Sequence, residues 1–103
     1  TKELPDLKMG RWCIECKRYG PGSDPLDEWW DQVIASSGPS GLPALIYKFN
    51  RKPIKVRLLG ESLSDELIGT GILIDISFDD FIELLKLKFQ KDIDFHNQQD
   101  EVQ

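Results

Sequence analysis

The chain has 103 residues, with 13 Lys and Arg against 18 Asp and Glu and a net charge of −5. That length allows one domain near the lower comfortable limit for an unassisted core, and 40% hydrophobic with 30% charged residues is the balance of a globular protein in water. No apolar run approaches the roughly 20 residues that span a bilayer, and no secretory signal pattern opens the chain.

The charge is unevenly spread. Residues 1–60 hold ten Lys and Arg against seven Asp and Glu, whereas residues 61–103 hold three Lys against eleven acids. A basic first part and an acidic second part suit a nucleic-acid face backed by an acidic side or tail.

In chain order, residues 4–17 open with a candidate hairpin. If Met9-Gly10 forms the turn, Lys8 faces Arg11, Leu7 faces Trp12 and Asp6 faces Cys13. Side chains alternate along a strand, so Cys13, Glu15 and Lys17 share a face, and Asp6 joins them. Asp6 then lies diagonal to Glu15 at about 7–8 Å, close enough for both carboxylates to reach one cation. Two hard oxygen ligands suit Mg²⁺ or Mn²⁺, and a lysine beside them acts on a nucleophilic water or on developing charge. That is the outline of a phosphodiester-cleaving site. The cysteines form a single Cys13-x-x-Cys16 with no second pair and no histidine at ligand spacing, which argues against zinc. Positions three apart in a strand point to opposite faces, which argues against a disulfide; reduced thiols suit a reducing cytoplasm.

Residues 19–25 read as a flexible loop, with Asp24 as N-cap and Pro25 at the first helical position. The helix is expected to run to about Ser36, before Gly38-Pro39. Leu26, Trp29, Trp30, Val33 and Ile34 fall on one face of it, so the tryptophan pair reads as core. Strands are expected at residues 44–49 and 54–59, joined by a turn at 50–53. Arg51 and Lys52 sit on that tip with Lys55 just beyond, where long basic side chains reach a phosphate backbone without reading bases. Together with Arg18 and Lys48 they form the candidate DNA-binding set. Residues 61–68 read as a short helix or loop and 71–76 as a strand. Ser77 caps a helix to about Gln90, with Phe78, Phe81, Ile82, Leu85 and Phe89 as its stripe, widened by Leu84 and Leu87. That stripe, or the open edge of the strand before it, offers a surface for the sheet or for a partner subunit. Residues 91–103 read as a frayed acidic tail beyond a domain of residues 1–90, and His96 within it has no assigned role.

Pro5-Asp6 followed by Glu15-Cys16-Lys17 resembles the PD-(D/E)xK nuclease superfamily. With Asp27-Glu28-Trp29-Trp30-Asp31-Gln32, then Gly41-Leu42-Pro43-Ala44-Leu45-Ile46-Tyr47, then Asn50-Arg51-Lys52-Pro53, the chain looks most like small phage-type Holliday junction resolvase and endonuclease domains. The resemblance implies an α/β domain with a restriction-endonuclease-like mixed sheet flanked by helices. It implies a Mg²⁺ or Mn²⁺ ion held by Asp6, Glu15 and the Cys16 carbonyl, with Lys17 as catalytic lysine and Gln32 near the metal-bound water. It also implies branched DNA as substrate, a homodimer for paired incision, and the cytoplasm of a bacterial or phage-infected cell. A helix and first strand would precede Pro5-Asp6 in that fold, and only residues 1–4 stand there, as in a fragment or a reduced fold. The alternatives are a repair or restriction nuclease acting on duplex or flap DNA, and a non-catalytic nuclease-fold module that binds DNA or protein.

Overall fold

The computed structural model describes the backbone of residues 7–102 and the side chains of residues 7–91. Strands β1 (Leu7–Met9), β2 (Trp12–Arg18), β3 (Leu42–Lys48), β4 (Lys55–Leu59) and β5 (Leu73–Ser77) form one sheet in the order β1-β2-β3-β4-β5. The β2–β3 pair is parallel and the other three pairs are antiparallel, so the sheet is mixed. Helices α1 (Asp27–Ser37) and α2 (Phe78–Val102) flank it.

The first hairpin differs from the expected register by two residues: Met9 faces Trp12, Lys8 faces Cys13 and Leu7 faces Ile14. The turn is Gly10-Arg11, with positive φ at Gly10 (58°) and not at Arg11. A two-residue turn of this type needs positive φ at its first central position, which glycine adopts freely and Met9 would not. An even shift leaves the faces unchanged, and Cys13, Glu15 and Lys17 remain together.

Parallel strands need a crossover, and α1 supplies it between β2 and β3. The helix starts later than expected. Leu26 is the N-cap in extended conformation with no side-chain cap, and its carbonyl accepts from Trp29 N (3.0 Å). Asp24 and Pro25 therefore precede the helix, and Asp27 and Glu28 complement its positive end. Its buried stripe is also narrower, because Leu26 and Ile34 are exposed while Val33 is fully buried in a cluster with Leu45, Tyr47 and Phe49, against which Trp29 and Trp30 pack. The last turn folds inward on small residues: Ser36 and Ser37 hydroxyls donate to Val33 O at 3.2 and 2.8 Å. Beneath it Gly41 is obligatory, since a Cβ there would stand 2.3 Å from Ser37 O.

The opposite face carries the larger core. Trp12, Ile14, Ala44, Val56 and Leu58 pack with Phe81 and Leu85 of α2, and Trp12 meets Phe81 edge-on at 5.5 Å. Ser77 Oγ accepts from Asp80 N at 3.1 Å, the expected N-cap. The helix does not stop near Gln90 but stays helical through Val102, since residues 91–102 contain no Gly or Pro and extending a formed helix is easy. Residues 61–68 form two short 3-10 turns, Gly60–Ser62 and Asp65–Leu67. The α2 stripe turns out to be committed to the sheet, except Leu87, which is 64% exposed. Accordingly, Phe81→Ala should cost about 3–5 kcal/mol and Leu87→Ala within about 0.5 kcal/mol, both read from urea unfolding midpoints.

Candidate active site on the α1 face of the sheet

Glu15 lies mid-strand in β2, with α1 across its face, and is only 1% exposed. Ser36 Oγ, in the last turn of α1, donates to Glu15 Oε1 at 3.4 Å. Lys17 is two residues further along the same face and partly exposed. Cys13 on this face is buried, and Cys16 on the opposite face is exposed, with no disulfide between them. Pro5 and Asp6 lie outside the described residues, so the second carboxylate of the expected pair has no described position.

Gln32 is one helical turn before Ser36. A crossover helix runs antiparallel to the strand it leaves, and the Tyr19–Trp29 ring contact (5.2 Å) fixes the start of α1 at the far end of β2. One turn of helix advances about 5.4 Å and two strand residues about 6.6 Å. Gln32 is therefore level with Lys17, as Ser36 is with Glu15. The structure sets Ser36 against Glu15, with Lys17 on the same strand face, whereas in the sequence Ser36 is only the end of a helix. A Ser-Ser pair before Gly-Pro carries no signal beyond helix termination.

Arg11 O accepts from Leu42 N at 2.7 Å and Tyr19 N donates to Lys48 O at 2.9 Å. In a parallel ladder this directs the peptide groups of Cys13, Glu15 and Lys17 toward β3, and those of Ile14 and Cys16 toward the β1 side. The Glu15 carboxylate and Cys16 carbonyl are hard oxygen donors of the kind Mg²⁺ prefers. Among the described residues no group of three His, Cys, Asp or Glu side chains gathers to hold a metal. Glu15 and Cys16 thus fit a metal in chemical type, and supply one carboxylate of the expected pair.

A second polar network on the same face was not anticipated. Asp75 on β5 accepts Arg57 Nε at 2.8 Å and Nη2 at 3.0 Å, and Tyr47 donates its hydroxyl to Asp75 at 2.6 Å. Glu15, Leu45, Arg57 and Asp75 fall in one row across the sheet. Burial, then the hydrogen bond and negative charge of Asp75, push the Tyr47 phenol well above its ordinary value. Burial alone would raise the Asp75 carboxyl, but bonds from Arg57 and Tyr47 and the Arg57 charge hold it below the usual range. The same carboxylate raises Arg57. One sequence signal existed: Asp75 is the single acid in the apolar strand Leu73–Ser77, and a strand acid among hydrophobes needs a partner.

The candidate DNA-binding residues divide between faces. Lys55 shares the α1 face with Lys17 and Tyr47, in register with both. Arg18 and Lys48 pair on the opposite face, and Lys48 Nζ donates to Phe49 O at 2.8 Å. Arg51 and Lys52 form the exposed tip, where Lys52 N donates to Phe49 O at 3.1 Å. Arg51 holds a left-handed backbone (φ 62°), rare for a residue with a side chain. At the other end of the sheet a groove of about 630 Å³ is lined by residues such as Arg11, Trp12, Glu61, Asp65, Lys88 and Phe89, and none of the candidate site residues borders it. No helix among the described residues is long and apolar enough to cross a membrane.

Because the Tyr47 phenol is raised in the fold, its stabilising contribution is full below about pH 10, the unfolded value, and is lost as pH rises beyond it. Tyr47→Phe should therefore be less stable than the parent by about 1 kcal/mol near neutral pH, with the gap closing above about pH 10. Paired urea titrations of the two proteins across that range check it. Neither a family model, nor a curated protein, nor a solved structure matches this chain, so its chemistry is argued from these contacts and the sequence pattern.

Proposed function

We propose that this chain is a metal-dependent endodeoxyribonuclease of the PD-(D/E)xK type, with a restriction-endonuclease-like fold, cutting phosphodiester bonds in branched DNA such as Holliday junctions. The observation that carries the reading is Glu15 on the α1 face of β2, with Ser36 of α1 at its carboxylate and Lys17 two residues along the same face. The order of elements supports it: a Glu-x-Lys strand, a Trp-Trp-x-Gln helix, a Leu-Pro strand parallel to the first, and a basic turn.

When bound, Mg²⁺ or Mn²⁺ on Asp6, Glu15 and the Cys16 carbonyl supplies Lewis acidity toward the scissile phosphate and a water. Lys17 takes a proton from that water or stands against the charge that grows on the phosphate in the transition state. Gln32 orients the water from the helix side. Arg51, Lys52 and Lys55 contact phosphates away from the cut, and these contacts position the duplex without reading sequence. Two incisions in a symmetric junction need two such sites, hence a homodimer.

A second reading has its own observation. Glu15, at 1% exposure beneath α1, suits a carboxylate held by Ser36 for structure, in a nuclease-fold module that binds DNA without cutting it. Mg²⁺ titration against a four-way junction and a matched duplex separates the two. Asp6→Ala and Glu15→Gln should each abolish Mg²⁺-dependent cleavage while the fold holds or gains slightly in stability. Full cleavage by either variant removes the assignment, and no cleavage by the parent with intact junction binding leaves the binding module.

Lys17→Ala should lower kcat by about 10²–10⁴ with binding nearly unchanged. Arg51→Ala with Lys52→Ala should do the reverse, and should flatten the salt dependence of binding by about 0.9 for each phosphate that is no longer neutralised. Fluorescence anisotropy at several salt concentrations reads the second effect, and an unchanged slope would make the tip a solvated turn.

A further inference from the structure

The Arg57–Asp75 pair stands on a part of the α1 face that no helix covers. α1 packs on β2 and β3, and α2 packs on β4 and β5 from the opposite side, through Val56, Leu58 and Ile76. The Arg57 side chain is 18% exposed and that of Asp75 26%. A guanidinium carries five N–H groups, and the fork onto Asp75 uses one on Nε and one on Nη2. The other three, two on Nη1 and one on Nη2, have no partner among the described residues. They lie along the outer edge of the fork, away from Asp75. Tyr47 holds the far oxygen of the same carboxylate at 2.6 Å, so the guanidinium is fixed through its partner as well.

The charges around it favour an anion. Lys55 is exposed two residues before Arg57 on the same strand face, about 6.6 Å back along the backbone. Lys17 lies in the row of Lys55, across Tyr47. Against these three cations stand Asp75, whose two oxygens are taken up by Arg57 and Tyr47, and the exposed Asp24, whose charge acts on both Tyr47 and Arg57. Glu15 is enclosed beneath α1. The bond and charge of Asp75 keep the guanidinium ionised, so its unspent donors act at full charge.

We propose that Arg57 binds a backbone phosphate of DNA through its outer Nη1–Nη2 edge, with Asp75 and Tyr47 as positioning residues and Lys55 beside it. A guanidinium edge meets two phosphate oxygens with two parallel N–H bonds, a match an ammonium cannot make. A side chain already held by a fork loses little further freedom on binding, so more of the contact energy appears as affinity. Arg57 shares a row with Glu15, two strands away and so about 9.6 Å between backbones. The phosphate held here is therefore near the one to be cut and distinct from it. That the anion is DNA rests on the nuclease reading, whereas the fixed guanidinium with unspent donors does not.

Fluorescence anisotropy of a labelled DNA duplex in EDTA tests the contact without any cutting. Arg57→Gln combined with Asp75→Asn exchanges the ion pair for two amides, keeps the net charge and leaves Tyr47 an acceptor. It should bind the duplex about tenfold more weakly and lower the salt slope by about 0.9, the share of one phosphate. Because the net charge is unchanged, a general electrostatic effect would move neither quantity. NMR of the parent reads the same contact without a variant: the Arg57 Nη signals should shift on adding the duplex, and inorganic phosphate at the same phosphate concentration should not shift them. If the double variant loses its circular dichroism, the NMR titration decides. Unmoved Nη signals, equal shifts with inorganic phosphate, a folded double variant that binds like the parent, or a parent that binds no duplex would each overturn the inference. Duplex binding through Arg57 with no cleavage of duplex or junction in Mg²⁺ counts against the nuclease reading alone. Cleavage in Mg²⁺ with unmoved Nη signals counts against the Arg57 contact alone.

Discussion

The structure depends on closing both faces of β3. Ala44 and Leu45 are adjacent and both fully buried, so neither side of this strand meets water. A parallel neighbour on one flank requires a crossover, which puts α1 on one face, and the other face must then be sealed by α2. The two seals are unequal. Toward α2 the buried set runs from Trp12 to Leu85 across three strands and the helix, whereas toward α1 it is Val33, Leu45, Tyr47 and Phe49. The thinly filled face is the one with room for polar groups, and Glu15, Ser36, Tyr47, Arg57 and Asp75 all stand there.

Glu15 and Asp75 show two ways of keeping an acid in such a place. Asp75 is held at both oxygens by a guanidinium fork and a phenol at short distance, the geometry that makes a partly buried charge tolerable. Glu15 is more deeply enclosed, and its bond from Ser36 at 3.4 Å is long for a hydroxyl donor. It stands under the last turn of α1, two residues before Lys17 on the same face of β2.

Much of this was legible in the sequence because it rests on periodicity. Alternation along β2 put Cys13, Glu15 and Lys17 on one face, and an error of two in hairpin register could not disturb that parity. The helical spacing of Phe81 and Leu85 marked the core side of α2. Leu26 and Ile34 were misplaced because spacing says which residues share a face but not how wide a face the sheet will cover. The Tyr47–Asp75–Arg57 network was invisible for another reason. It joins three strands through side chains 18 and 28 residues apart, and no local pattern announces a partner at that distance. The start of α1 was misread because Asp24 and Pro25 make a good local signal that the buried Pro25 uses elsewhere.

The mixed topology also orders events in time. β3, β4 and β5 form a meander of near neighbours, with Ala44 across from Leu58 and Lys55 across from Ser77. The β2–β3 pair joins Trp12 to Leu42, and its closure waits on the intervening helix. Loop-closure entropy and the slowness of parallel pairing place the meander first and the crossover last. Glu15 and Lys17 belong to the late strand. The site therefore exists only where the longest-range pairing of the sheet has closed and α1 has docked over β2.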